Sequence, residues 1–247
     1  PGRYTPTNGG LGLEQTEDGH VYRAGFFLGD GTGVGKGRQV SGIIMDSWCQ
    51  GRRRHLWVSK TASLIEDARR DWTGLGGLSL DIQSLAGFEL GTPIEIPAGI
   101  LFVTYATLRS ERSEKGSRLD QIIVWLGSDD PASFEGCIVF DESHAMANAA
   151  GSETARGLMK GSEQGIAGVK LQHLLPRARV LYVSATGATE VGNLAYATRL
   201  GLWGSDTAFT QREGFMHAMR EGGIAAMELV ARDLKAMGFY LARALSY

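Results

Sequence analysis

In Phe26-Phe27-Leu28-Gly29-Asp30-Gly31-Thr32-Gly33-Val34-Gly35-Lys36-Gly37-Arg38 an apolar run stops at a loop carrying four glycines, and a lysine then opens a helical pattern. This is the strand–loop–helix layout of a phosphate-binding loop, in which backbone N–H groups and a helix N-terminus converge on an anion. Glycines allow the backbone to approach phosphate without a side chain in the way. The match to G-x-x-x-x-G-K-[ST] is incomplete. Gly35 and Lys36 fit, but Asp30 replaces the first glycine, and Gly37 stands where a Ser or Thr would offer a hydroxyl to Mg²⁺. The dinucleotide fingerprint G-x-G-x-x-G fails in every register, because its third glycine would fall on Val34, Lys36, Arg38 or Val40. A ligand-free glycine loop is the remaining alternative.

Outward from the loop, apolar runs alternate with helical spacing. Val21–Leu28 reads as the first strand, and Val40, Ile43, Ile44, Ser47 and Trp48 follow the i, i+3, i+4, i+7, i+8 spacing of a helix on a sheet. Leu56–Val58, Ile100–Thr104, Cys137–Phe140 and Val180–Val183 are short runs apolar on both faces. Helices are expected at Leu64–Trp72 and about 118–126. That alternation predicts an α/β fold, a mostly parallel sheet with helices on both faces. Residues 1–20 read as an irregular lead-in, 21–205 as the nucleotide-binding lobe, and 206–247 as a helical C-terminal extension. Helices are expected at about 190–199, 212–220 and 224–245, with Gly238 weakening the last.

The chain has 247 residues, an ordinary 43% apolar fraction and a net charge of −2, so any nucleic-acid binding must come from local patches. Cys49 and Cys137 show no pairing pattern, which predicts buried thiols in a reducing compartment. No apolar run reaches membrane-spanning length, and the histidines lack zinc-ligand spacing, so neither a membrane nor zinc is expected. The chain opens on Pro1 and reads as part of a longer polypeptide.

Polar groups at the carboxyl ends of parallel strands line the ligand crevice of such sheets. Lys36, Thr104-Tyr105, Asp141-Glu142-Ser143-His144 and Ser184-Ala185-Thr186 all follow apolar runs. Asp141 is placed to hold Mg²⁺, and Glu142 to orient and deprotonate a water for attack on a γ-phosphate. Simpler readings exist: the acidic pair as a helix cap, His144 as a turn residue, Ser184 and Thr186 as turn hydroxyls. A Ser-His-Asp hydrolase lacks its G-x-S-x-G elbow.

The order of these boxes resembles the first RecA-like lobe of superfamily 2 helicases, a P-loop NTPase fold. The strings Gly29–Arg38, Thr104-Tyr105-Ala106-Thr107-Leu108, Val139–His144, Ser184-Ala185-Thr186-Gly187-Ala188, Arg199–Gly204 and Gly222–Glu228 are similar to the strawberry notch family. The resemblance implies an ATP-binding and hydrolysing lobe with ATP and Mg²⁺ as cofactors. Gly31, Thr32, Gly33, Val34, Gly35, Lys36, Gly37 and Arg38 would form the nucleotide loop. Asp141 and Glu142 would be the Walker B pair, and His144, Ser184 and Thr186 would couple nucleotide state to DNA or RNA. Ser59, Lys60, Thr104 and Tyr105 fall where such lobes touch a nucleic-acid backbone. A second RecA-like lobe of the same polypeptide would supply arginines. The expected location is the cytoplasm, with a bacterial, phage or plasmid origin, or the nucleus of a eukaryote. Two features depart from that pattern: no adenine-reading glutamine precedes the loop, and Gly37 removes a metal ligand. A nucleotide-switched interaction scaffold in transcription control, without motor activity, is the rival; a P-loop kinase fits the later boxes poorly.

Overall fold

A computed structural model describes residues 2–112, 114–147, 149, 152–154, 157–159, 161–187, 190 and 194–244. Seven strands form the central sheet: β1 (Phe26–Leu28), β2 (Arg54–Ser59), β3 (Ile82–Ser84), β4 (Gly99–Thr104), β5 (Cys137–Asp141), β6 (Arg179–Val183) and β7 (Tyr240–Leu241). Their spatial order is β7-β1-β6-β5-β2-β4-β3, and every neighbouring pair is parallel. The strands are apolar on both sides because both faces are covered. Along β2, Leu56 and Val58 enter one core while Trp57 enters the other, the period-two alternation of an extended chain.

Helices α1 (Lys36–Cys49) and α2 (Leu64–Thr73) cover one face, packing Val40, Ile44, Ala68 and Trp72 against Trp57, Phe102, Val139 and Leu181. Ile43, expected on the packed side of α1, is exposed. The single turn α3 (Tyr105–Leu108) and helices α4 (Arg118–Gly127), α5 (Glu163–Leu174) and α6 (Arg212–Ala236) contribute to the larger core on the other face. Ser117 and Ser162 cap α4 and α5, their hydroxyls accepting the N–H groups of Asp120 and Gly165. Such caps stabilise a helix by about 1 kcal/mol each.

Several expectations need correcting. The lead-in is not irregular: Tyr4–Thr7 and Gly12–Gln15 pair as an antiparallel hairpin. The first strand begins at Phe26 rather than Val21. Residues 194–199 are turns, not helix; positions 191–193 of that expected helix, and Ala188, lie outside the described residues. Helix α6 does break near the predicted point, at Gly223 (φ 57°, ψ −143°), but it ends at Ala236. Beyond Gly238 (φ 77°) the chain turns back and adds β7 beside β1, so 240–241 is strand where helix was expected. Cys137 is buried, but Cys49 is exposed. Among the described residues, no helix is long and apolar enough to cross a membrane.

Candidate nucleotide site

The loop after β1 closes onto α1 through two glycines of positive φ, Gly33 (83°) and Gly35 (87°), the latter in the left-handed conformation at the helix start. Lys36 Nζ donates to the carbonyls of Asp30 (2.9 Å) and Gly31 (3.0 Å), so its ammonium lies across the mouth of the loop. Asp30, which spoiled the sequence motif, is fully buried and structural. Its carboxylate accepts from the Arg243 backbone N–H (2.8 Å), from Arg243 Nε (3.2 Å) and Nη2 (2.5 Å), and from Gln39 Nε2 (3.0 Å). Burial alone would raise its pKa, but the Arg243 and Gln39 hydrogen bonds hold it below the ordinary carboxylate value. The loop is further tied to the last strand by Gly29 N–H donating to Leu241 O and Gly31 N–H to Arg243 O.

Strand β6 lies between β1 and β5, which brings the boxes after β5 and β6 beside the loop. Asp141, the last residue of β5, is held by Ser59 Oγ (3.0 Å) and Trp57 Nε1 (3.5 Å), which lie on the same side of β2, and by the Glu142 N–H (3.0 Å). Its pKa is raised, chiefly by burial and secondarily by the Glu142 charge, against the lowering effect of Ser59. Among the described residues all three donors to it are neutral, so this buried carboxylate has the environment of a group suited to a cation. Glu142 sits in the left-handed region (φ 49°, ψ 46°), which costs a non-glycine residue of order 1 kcal/mol or more. The conformation aims its carboxylate at His144 Nδ1 (3.4 Å), which also approaches Ser184 Oγ (3.3 Å); Ser184 Oγ in turn meets Thr186 Oγ1 (3.0 Å). The predicted coupling residues therefore form one polar chain leading away from Glu142.

The residues expected at a nucleic-acid backbone divide. Lys60 is exposed. Thr104 is half-buried and caps α3, its hydroxyl accepting the Thr107 N–H. Ser59 and Tyr105 are buried and turn inward, Ser59 to the Asp141 carboxylate and Tyr105 OH donating to the Asp141 carbonyl at 2.9 Å. Ser59 thus braces the Asp141 carboxylate and Tyr105 its backbone carbonyl. Arg243, Gln39 and Asp71 were missed altogether: Arg243 fell in a presumed helix, and the other two belong to no motif. A cleft of about 550 Å³ near the amino end of β2, lined by Arg54, Ile94, Lys115, Gln121 and Trp125 among others, contains none of these groups.

A divalent cation suits this donor set. Mg²⁺ in nucleotide sites takes one or two carboxylates plus phosphates and waters. Among the described residues no three His, Cys, Asp or Glu side chains gather into a metal-binding group, so a cation here would rely on the nucleotide for part of its shell.

A Gly-Lys loop after β1, an Asp-Glu pair two strands away and a Ser-x-Thr box between them define a RecA-like P-loop NTPase fold. Residues 9–247 match the family model described as P-loop containing NTP hydrolase pore-1, and the chain belongs to that family, of the strawberry notch type. It is 43% identical to Protein FORGETTER 1 of Arabidopsis thaliana over 95% of this chain and 18% of that protein. To Protein strawberry notch homolog 1 of Homo sapiens it is 42% identical, over 91% of this chain and 16% of the relative. It thus spans less than a fifth of the length of these curated relatives. The fold is also that of a Sulfolobus solfataricus SWI2/SNF2 ATPase core solved in complex with dsDNA, with a TM-score of 0.56 at 15% identity, covering 90% of this chain and 40% of that one.

Proposed function

We propose that this chain is the ATP-binding and hydrolysing lobe of a nucleic-acid-dependent translocase or helicase. The observation that carries the reading is the placing of Lys36 after β1 and of Asp141, Glu142, His144 and Ser184, linked to one another by the contacts given above, at the carboxyl ends of the neighbouring strands of the same sheet. Lys36 Nζ exchanges the carbonyls of Asp30 and Gly31 for terminal phosphate oxygens. The backbone N–H groups of 31–38 and the start of α1 bind the rest of the triphosphate. Mg²⁺, held by Asp141, would neutralise charge on the phosphates. Glu142 takes a proton from the attacking water. The carboxylate is free to do so because its backbone is fixed and its neighbour is His144, not a lysine or arginine. His144 and Ser184 sense whether Glu142 is engaged and pass that state towards the loops bearing Lys60 and Thr104. Arginines from a second lobe complete the site, a contribution of about 10³–10⁵ in rate. This lobe alone therefore turns over slowly.

Double-stranded DNA is the first polymer to test, because the structural neighbour was solved bound to it. In the intact polypeptide, Lys36→Ala abolishes ATP binding by calorimetry, and Glu142→Gln stops hydrolysis while sparing binding. Unchanged ATP affinity in the first variant, or parental turnover in the second, refutes the assignment. ATPase activity that duplex DNA or RNA fails to stimulate favours the nucleotide-switched scaffold.

A further inference from the structure

Gly37 stands where a phosphate loop of this kind usually presents a hydroxyl, and the space beside it is filled from another helix. A Cβ built on Gly37 would lie 2.2 Å from Asp71 Oδ2 and 3.3 Å from Asp71 Cγ. The carboxylate of α2 thus occupies the volume that a Ser or Thr side chain at position 37 would take, and only glycine leaves room for it. Asp71 Oδ1 accepts from Arg38 Nε at 3.4 Å, whereas Oδ2 accepts no hydrogen bond among the described residues. The side chain is 18% exposed. Its position at the first turn of α1 puts an anion at the end of the helix that receives the phosphates. A carboxylate there repels a triphosphate unless a divalent cation stands between the two. The donor lost at Gly37 and the acid gained at Asp71 are therefore one exchange.

We infer that Asp71 replaces the missing hydroxyl as a ligand, directly or through water, of the Mg²⁺ that accompanies bound nucleotide, opposite Asp141. The inference rests on the nucleotide-binding reading above, and its test separates the two. ATP is titrated into the intact protein by calorimetry, once with EDTA and once with Mg²⁺. Mn²⁺ binding in the presence of ATP is followed in parallel by electron paramagnetic resonance. In the parental protein Mg²⁺ tightens ATP binding. In Asp71→Asn the metal-free affinity is kept or improved, the Mg²⁺-dependent gain falls by about 10–100-fold, and the apo melting temperature is unchanged. Adding Gly37→Thr to Asp71→Ala restores the gain, because the hydroxyl returns to the vacated volume. A full Mg²⁺ gain in Asp71→Asn overturns the inference, as does failure of Gly37→Thr to restore it. A parental protein that binds no ATP under either condition refutes the phosphate-loop reading instead.

Discussion

Arg243→Ala tests whether the phosphate loop is held in shape by the last strand. The substitution removes the one cation that contacts the Asp30 carboxylate among the described residues, a carboxylate that is fully buried, and leaves it the residue-243 backbone N–H at 2.8 Å and Gln39 Nε2 at 3.0 Å. Removing one partner of a buried pair costs about 3–5 kcal/mol. Here two hydrogen bonds survive and the Arg243 side chain is 52% exposed, so water replaces part of what is lost; about 2 kcal/mol is the expected cost. With an unfolding entropy of about 2.1 cal/mol/K per residue, the melting temperature falls by about 4 °C. The pH dependence follows in sign. The folded pKa of Asp30 lies below the ordinary 3.8, so the contact contributes fully above that value and is lost as pH falls through the folded pKa. The gap between parent and variant therefore narrows under strongly acidic conditions. Scanning calorimetry at neutral and acid pH reads both effects, and Asp30→Asn closes a double-mutant cycle. Equal melting temperatures at neutral pH, or additive losses in the double variant, refute the clamp.

Ser59→Ala removes a hydroxyl that lowers the Asp141 pKa, so that pKa rises further and the acid limb of Mg²⁺-dependent ATP binding shifts to higher pH; a pH series of calorimetric titrations detects the shift. His55 is buried, accepts the Cys137 N–H at Nδ1 and donates from Nε2 to Arg52 O, which makes it neutral in the fold, its pKa brought down from 6.5 to about 4 chiefly by burial. Its contribution is therefore complete above about 6.5 and is lost as pH falls towards about 4, and thermal melts of His55→Gln against the parent lose pH dependence across that window. Tyr182→Phe deletes a hydroxyl that donates to Gln172 Oε1 and accepts the Arg199 N–H, leaving a buried donor unmet; denaturant unfolding should show a loss of about 1–3 kcal/mol with ATP affinity unchanged.

The strands that build the site were legible because each is a short run apolar on both faces, and polar boxes at their ends mark the ligand edge. Direction was not legible. Ser59 and Lys60 are adjacent in sequence, yet Ser59, the last residue of β2, turns inward to Asp141 while Lys60, in the bend just past the strand, faces solvent. Helix α5, not among the helices expected from the sequence, carries Gly165 and Gly168 in its interior. A Cβ at Gly168 would lie 2.2 Å from Met146 Sδ, so close packing, not a turn, calls for the glycine. Strand β7 escaped because Met237 and Leu241 continue the helical spacing of α6, and only the positive φ of Gly238 ends it. The hairpin at 4–15 carries little apolar alternation and is fixed by pairing, including Tyr4 with His20. Asp30 looked like an error in a motif because its partner, Arg243, lies far away in sequence.

That separation, 213 residues, also sets a clock. A ribosome makes the glycine loop early and the residue that clamps it late, adding about 5–20 residues per second. For some tens of seconds or less the nascent chain carries a phosphate loop with its buried acid uncompensated and the β1 edge of its sheet unpaired on one side. The newborn domain lacks the clamp on its phosphate loop until Arg243 has emerged, so completion of the candidate nucleotide site is timed by the synthesis of β7 and the residues just after it.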